Sequence, residues 1–514
     1  MKNSDRRTML CNAVLLTGIS LLLRTAGISY RARAVQMIGQ ESMGLYTLVQ
    51  TVFLFAVTFS TAGLSTAVMR VVSENMSTDR PSRNAVPQAL LYALTLGGLA
   101  GLVLYIGAQW LSAHFLADAR AALALRILAP SLPVMSASAV LKGYFYARRE
   151  AVMPAVSDAL EQGVEMLVFL AVVQKIRDLS PEAGCAAIAL GTTVSELVSC
   201  LYLAAACRRQ RRRERKGTAP VLRRFLRIAL PVSASACMGA GLRAAENALI
   251  PRGLEANGVS HARSLVLYGQ VRGMALPLIF YPAAFLSCIG SILIPEIAGA
   301  RAAGRERQQY GLIVRVIRYT LLWSFCVGGI MAVFAEELGL LVYRDTEIAR
   351  ILLILAPLTP FMYLDPVADG MLKGFDQQRA VLRYNLLDSG LRLVMVYLLI
   401  PRMGFPGFML VMYVSNILNP WLSVRRLWHV TGLRPSVRKW ICLPCLCACM
   451  AAVGGRLLSA AGLAGSVLGL IGCMGAYVVL YTALLVSFSV LGEDDMAFCR
   501  RIVGLFRAKP CKTS

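Results

Sequence analysis

Fourteen apolar runs of about twenty residues each limit this chain's fold more than any other feature. They lie at roughly 10–30, 45–70, 87–110, 123–146, 154–174, 184–207, 225–250, 268–294, 313–335, 350–372, 384–400, 405–424, 441–458 and 465–490. An α-helix of that length rises about 30 Å, the thickness of a bilayer's hydrocarbon core. Backbone groups find no water there, so only helices or closed barrels can span it. The runs lack the alternation of a barrel strand, which selects helices. With 57% hydrophobic and only 16% charged residues, and a mean hydropathy of +0.62, the chain carries more apolar surface than a water-soluble core could hide. The expected fold class is an all-α polytopic membrane protein of about fourteen transmembrane helices.

A formal net charge of +25 would point to nucleic acid in a soluble protein. Here the basic residues sit in alternate gaps between runs. With the N-terminus on one side, that side carries about 36 of the 53 Lys and Arg and the other about 11. Both termini are therefore expected to be cytoplasmic, and no nucleic-acid partner is expected. The richest gap, with RRQRRRERK from Arg208 to Lys216, reads as topology fixing and attraction to anionic lipid. The start MKNSDRR resembles a signal peptide, but Arg24 interrupts the apolar run and no A-x-A-like site follows, so it is read as an uncleaved first span. Cys442, Cys445, Cys447 and Cys449 include a C-x-x-C, yet they lie in an apolar run without a nearby His, so packing thiols and no metal are expected. There is no G-x-x-x-x-G-K-[ST], and no cofactor is expected; an ion gradient (Na+ or H+) or the substrate's own gradient is the expected driving force.

The chain repeats itself. ILAPSLPVM (Ile127 to Met135) and LKGYF (Leu141 to Phe145) in the fourth run return as ILAPLTPFM (Ile354 to Met362) and LKGF (Leu372 to Phe375) in the tenth. The likeness continues into the following run, where EQGVEMLVF (Glu161 to Phe169) faces DSGLRLVMVY (Asp388 to Tyr397), setting Glu161 opposite Asp388 and Glu165 opposite Arg392. A weaker echo sets Arg24 in LLLRTAG opposite Arg243 in AGLRAAE. Runs four and ten differ by an even number, so the copies share orientation: a parallel six-plus-six repeat with two helices appended. The expected organisation is a six-helix lobe over residues 1–207, a basic linker over 208–224, a second lobe over 225–428, and two appended helices with a tail over 429–514. Such lobes enclose a cavity and rock against each other. Pro130 and Pro133, matched by Pro357 and Pro360 and joined by Pro366, interrupt the two equivalent spans and are candidate hinges.

Ionisable residues inside spans cost about 2.5 to 3.5 kcal/mol at the bilayer centre, so each must be paired or face a wet cavity. This chain has many: Arg24, Arg243 and Arg272, with Asp158, Glu161, Glu165, Glu196, Glu246, Asp365, Asp369 and Asp388. Arg24, Arg243 and Arg272 are candidate ligands for a diphosphate, whose oxygens suit the planar guanidinium fork. Glu246 and Asp388, with Asn385 one turn away, are candidate ion-coupling residues. Internal neutralisation competes with both roles, through Arg243 with Glu246 at i, i+3 and Asp388 with Arg392 at i, i+4.

LLTGISLLLRTAGISYRARAVQMIGQESMGLYTLVQ (Leu15 to Gln50), FSTAGLSTAVMRVVSE (Phe59 to Glu74), YGQVRGMALPLIFYP and SILIPEI give the chain a resemblance to the multidrug/oligosaccharidyl-lipid/polysaccharide exporter superfamily, and within it to the polysaccharide-export group of sporulation and lipid II flippase-like proteins. The resemblance covers nearly the whole chain. It implies a non-enzymatic, alternating-access flippase in the bacterial cytoplasmic membrane. Its cargo would be an undecaprenyl-diphosphate-linked saccharide or peptidoglycan precursor for cell-wall or spore-cortex synthesis. It also implies membrane lipid and cell-wall synthesis enzymes as partners, and a monomer. In related flippases arginines of spans one, two and eight serve the diphosphate, which fits Arg24; Arg272 is displaced by about one turn, and Arg70 stands at a span's cytoplasmic end. Acidic and amide groups of spans seven and eleven can hold sodium, although Asn385 and Asp388 stand three apart rather than four. Two other readings stay open: a cation-coupled multidrug or metabolite exporter of the same architecture, and a non-transporting scaffold.

Overall fold

The computed structural model describes residues 3–77, 85–148, 150, 152–176, 180–211, 222–283, 286, 306–375, 377–432, 436–463 and 465–491. Among these the regular structure is entirely helical. Among the described residues, nine helices are long and apolar enough to cross a membrane, and a tenth span is formed if one bent pair is counted. One of the nine, Leu22–Glu74, has 53 residues. A helix of that length would rise about 80 Å, more than twice the hydrocarbon core, so it is long enough for two crossings. The chain is a multi-pass membrane protein. Its outer helical faces agree: Ile106 is 70% exposed and Leu468 83%, exposures that suit lipid and not water.

The chain divides into two compact units. The first comprises Met1–Cys288 and Gln377–Asn419. It holds α1 (Asn3–Thr61), α2 (Leu64–Ser77), α3 (Ala85–Trp110), α4 (Ala121–Leu128), α5 (Ser131–Ala147), α6 (Val152–Val173), α7 (Pro181–Arg211), α8 (Leu222–Ala256), α9 (His261–Tyr268), α10 (Leu276–Phe280) and α14 (Gln378–Met403). α1 is kinked at Gly39, whose φ of 83° and ψ of 166° are open in practice only to glycine. Five residues on, a Cβ built on Gly44 would lie 2.1 Å from the carbonyl oxygen of Leu265, so α1 and α9 touch backbone to backbone. A core of Leu64, Val68, Val86, Leu141, Tyr144, Phe145, Leu203 and Phe225 joins α2, α3, α5, α7 and α8.

The second unit comprises Ile289–Asp376 and Pro420–Ser514. It holds α11 (Glu306–Val333), α12 (Thr346–Leu355), α13 (Thr359–Gly374), α16 (Leu443–Ala460) and α17 (Val467–Ser487). α15 (Phe405–Thr431) runs from the first unit into the second. Tyr477 and Tyr481 stack in the core of this unit, and Tyr481 donates to the Leu322 carbonyl at 3.0 Å. Cys447 packs inside, while Cys442, Cys445 and Cys449 are exposed.

Both copies of ILAP break their helix at the same place. α4 ends one residue before Ala129–Pro130, and α5 starts at Ser131 with its axis bent by 43°. α12 ends one residue before Ala356–Pro357, which form a 3-10 turn leading into α13. Proline has no N–H to give to the preceding turn, so each helix is interrupted there. Pro366, by contrast, lies inside the continuous α13.

Candidate functional site

Two clusters of charge within the apolar runs lie in the first unit, and the sequence repeat relates α6 of one to α14 of the other. The first forms where α8, the π-helical turn Gly269–Ala275 and α14 meet. A π turn holds one more residue than an α turn and so rotates the following side chains around the axis. Arg272 sits on it and donates from Nη2 to Glu246 Oε1 at 2.5 Å. The other carboxylate oxygen of Glu246 lies 3.6 Å from Arg392 Nη1. Arg392 also pairs with Asp388 one turn earlier on α14, and Ser415 Oγ on α15 donates to Asp388 Oδ1 at 2.8 Å. Glu246 and Asp388 are almost wholly buried, their guanidinium partners about four-fifths buried. Two acids and two guanidiniums make a neutral cluster. The Nε atoms of Arg272 and Arg392 are buried without a hydrogen-bond partner, so two donors are still unused.

The expected ion-coupling set is thereby divided. Glu246 and Asp388 come together, but against guanidiniums, and Asn385 accepts from Asn419 Nδ2 at 2.9 Å. Glu246 pairs with Arg272 and Arg392, not with Arg243 three residues before it, because its side chain is turned toward the π turn and α14. Arg243 is exposed, as is Arg24, and neither has an ion pair among the described residues. The i, i+4 pair of Asp388 and Arg392 forms as its spacing suggests. Asp369, on α13 of the second unit, accepts from Ser423 at 2.9 Å. Arg70 pairs with Glu74 at 3.1 Å.

The second cluster lies between α5, α6 and α7. Lys142 Nζ is 2.7 Å from Asp158 Oδ1 and 3.8 Å from Glu161 Oε2. Glu196 on α7 is buried beside this pair, in electrostatic reach of Lys142 and Glu161. One turn on, Glu165 accepts from Thr192 Oγ1 at 3.1 Å; Tyr46 meets Thr192 at 3.2 Å, and Gln50 donates to Tyr46 at 3.2 Å. The acids were visible in the sequence as misplaced charges. Lys142 was visible only as part of LKG, and Thr192, Tyr46 and Ser415 carried no signal, since a hydroxyl in an apolar helix is unremarkable until its partner is known.

A third cluster lies outside the apolar runs. Arg120 reaches Glu41 at 2.7 Å and Asp118 at 2.8 Å. His261, the first residue of α9, places Nε2 2.9 Å from Asp118 Oδ2 and Nδ1 2.7 Å from Glu255 Oε1. Both ring nitrogens face carboxylates, which only the doubly protonated imidazolium can satisfy. Burial alone would lower the His261 pKa, but the bonds to Asp118 and Glu255 outweigh it and raise it. Burial alone would raise Asp118, but the bonds from Arg120 and His261 hold it below the usual carboxylate range.

With this geometry in hand, comparison with known proteins places the chain. Residues 9–240 match the family model described as polysaccharide biosynthesis protein. Stage V sporulation protein B of Bacillus subtilis (strain 168) is 22% identical over 512 residues, covering 96% of this chain and 97% of that protein. The structure of the lipid II flippase MurJ in an inward closed conformation superposes with a TM-score of 0.72 at 11% identity, over 92% of this chain and 98% of that one. An inward-facing multidrug resistance transporter of the MATE family gives 0.63 at 14% identity, over 82% and 100%. The chain therefore has the fold of these two transporters, and its likeness to the sporulation protein runs along nearly its full length.

Proposed function

We propose that this protein is an alternating-access flippase that carries a lipid-diphosphate-linked saccharide across the bacterial cytoplasmic membrane, with both termini in the cytoplasm. The observation that carries the reading is the division among its intramembrane arginines. Arg272 and Arg392 are held by Glu246 and Asp388, whereas Arg24 and Arg243 are exposed within apolar runs and have no ion pair among the described residues. An unpaired guanidinium within a span is expensive unless a cavity or an anion receives it. A diphosphate receives two at once through bidentate hydrogen bonds. The unused Nε donors of Arg272 and Arg392 add polar groups that a phosphate oxygen or a water could meet.

The likeness to a lipid II flippase over nearly the whole chain supports this reading over drug efflux, since a pump for organic cations gains nothing from exposed arginines. The matched helix breaks at Pro130 and Pro357, with Pro133 and Pro360 just beyond them, are the proposed hinges of transport. In vesicles containing a fluorescent undecaprenyl-diphosphate saccharide, the reconstituted protein is expected to move it between leaflets. Arg24→Ala and Arg243→Ala should each slow this at least about tenfold, the effect of losing one charge-assisted contact. Wild-type rates in both variants would remove these residues from the cargo site, and no movement by the unmutated protein would favour drug efflux or a scaffold.

A further inference from the structure

The third cluster joins the two copies of the sequence repeat. Glu41, Asp118 and Arg120 belong to the first copy, Glu255 and His261 to the second, and all five come from gaps between apolar runs. The gaps are the first, third and seventh, so they share one side of the membrane, the outer side when both termini are cytoplasmic. Arg252 adds a tie across the same seam, its Nη2 donating to the His114 carbonyl of the first copy. Deeper along the seam Gln270 donates to Gln40 at 3.0 Å, and Gly269 stands against Gly44 with its would-be Cβ 2.7 Å from the Gly44 Cα. Glycines let backbones meet without interlocking side chains. The ionic bonds at the edge are therefore important ties across the seam.

His261 bridges one carboxylate from each copy, with Nε2 2.9 Å from Asp118 Oδ2 and Nδ1 2.7 Å from Glu255 Oε1. Of the five side chains only this imidazole changes charge near neutral pH. Protonated, it donates to both carboxylates; neutral, one nitrogen must turn a lone pair toward a carboxylate. The loss of that proton leaves Glu41, Asp118 and Glu255 with Arg120 as the one cation in ion-pair contact among the described residues, and attraction across the seam gives way to repulsion. His261 is also the first residue of α9, where the helix dipole disfavours a cation, so the two carboxylates alone hold its proton. The other charged or titratable groups nearby are Arg252 of α8, Arg263 of α9 itself, and Glu182 and Cys185 of α7, the thiol being in electrostatic reach of Asp118. Among the described residues none of them is within ion-pair distance of His261. His114 is stacked on Trp110 and meets that residue's carbonyl, not a carboxylate.

We propose that His261 is a proton-operated latch at the outer end of this seam: the imidazolium ties the two copies of the repeat together, and its deprotonation lets them part. Burial opposes the charge on His261, but the bonds to Asp118 and Glu255 outweigh it and raise the pKa. The tie is therefore complete below about pH 6.5 and is lost as the pH rises through the higher folded value. In a carrier that opens alternately to either side, acid outside holds the outer end closed and alkali frees it. That role in transport rests on the flippase reading; the latch itself does not.

Distance measurements between the two copies test the latch without cargo. Spin-labelled noncanonical amino acids are placed at the exposed Ala119 and Ala256, one on each side of the seam, in the full-length protein in lipid nanodiscs with its native cysteines unchanged. Between about pH 5.5 and about pH 9 the ratio of the short-distance to the long-distance population is expected to fall about two- to fivefold, the range of a partly screened ion pair. His261→Gln keeps a donor without a charge and should show the alkaline distribution at every pH. His261→Arg keeps a cation throughout and should show the acid distribution at every pH. A wild-type distribution unchanged over this range, a wild-type pH response in His261→Gln, or a persisting response in His261→Arg would each overturn the proposal. Distances that respond to pH in a protein that moves no lipid-diphosphate saccharide would remove the flippase reading and keep the latch. Translocation with fixed distances would remove the latch alone.

Discussion

α6 and α14 occupy equivalent places in the repeat, yet their buried charges solve the same problem in opposite ways. At three matched positions α6 carries Asp158, Glu161 and Glu165 where α14 carries Asn385, Asp388 and Arg392. On α14 one acid has become an amide and another a guanidinium. The result is a neutral network with Glu246 and Arg272, in which each acid has a guanidinium partner. On α6, among the described residues, no guanidinium is in ion-pair contact: Lys142 meets Asp158 and Glu161, and Glu165 has only the Thr192 hydroxyl as hydrogen-bond donor. A buried ion pair with a fixed partner has one state, whereas a carboxyl without one has two, charged and neutral, at modest free-energy difference. The α14 network is suited to hold helices together and the α6 cluster to change its charge.

Removing one cation from each cluster separates these roles. Arg392→Met strands Asp388 and half of Glu246 in a buried site, and breaking such a pair typically costs about 3 to 5 kcal/mol. A thermal unfolding midpoint in mild detergent should fall by several degrees. Asp388→Asn added to Arg392→Met should recover much of the loss, since the stranded charge is then gone. A single variant as stable as the wild type would contradict the description of α14 as a structural network.

The seat of Arg272 gives the next largest effect. The π turn rests directly on α1, where a Cβ at Gly269 would lie 2.7 Å from the Gly44 Cα. Gly269→Ala must push these backbones apart, at about 1 to 3 kcal/mol for overpacking. If the turn is what aims Arg272 at Glu246, Gly269→Ala and Glu246→Gln should be less than additive in a double-mutant cycle. Full additivity would separate the packing from the pair. The equivalent operation on α6 is gentler. Lys142→Met should cost only about 1 kcal/mol, because Asp158 is half exposed and the acids can answer by taking up protons. Its signature is an unfolding midpoint that improves toward acid pH, where Arg392→Met shows less recovery. Equal losses for Lys142→Met and Arg392→Met would erase the contrast between the clusters.

What was legible in the sequence follows from the range of the interaction involved. The paired ILAP breaks were predictable because a proline acts on its own turn, and Asp388 with Arg392 because i, i+4 neighbours share a face. The unusual cost of charge within apolar runs also marked both clusters as places of interest. The partners across helices were not predictable. Arg243 and Glu246 had a permissible spacing, but Glu246 meets Arg272 because a π turn in another helix rotates that arginine toward it, and nothing in GQVRGMA announces a π turn. Pro366 shows the converse: the residue type suggests interruption, yet α13 continues through it. The third cluster was invisible, since Asp118 lies in one gap and Glu255 and His261 in another, and only the tertiary fold assembles them.

That third cluster extends the comparison to solvent, where the expected effect is smallest. His261 is more than one-third exposed, so the free energy of its two ion pairs is screened to about 0.5 kcal/mol. The sign is set by the direction of each shift. His261 has its pKa raised in the fold, so its contribution is complete below about pH 6.5, the unfolded value, and is lost as the pH rises through the higher folded one. Asp118 has its pKa lowered, so its contribution is complete above about pH 3.9 and is lost as the pH falls through the lower folded value. Between these limits both contribute, and the ties among α1, α4, α8 and α9 are strongest in mildly acidic solution. His261→Gln removes the charge but keeps a donor. The difference in unfolding free energy between wild type and His261→Gln should therefore be largest near pH 5.5 and shrink on the alkaline side, in a direction that added salt weakens. A difference that stays constant from pH 5 to 9 would show that the imidazole is neutral in the fold, and that one of its two carboxylate contacts is made without a proton.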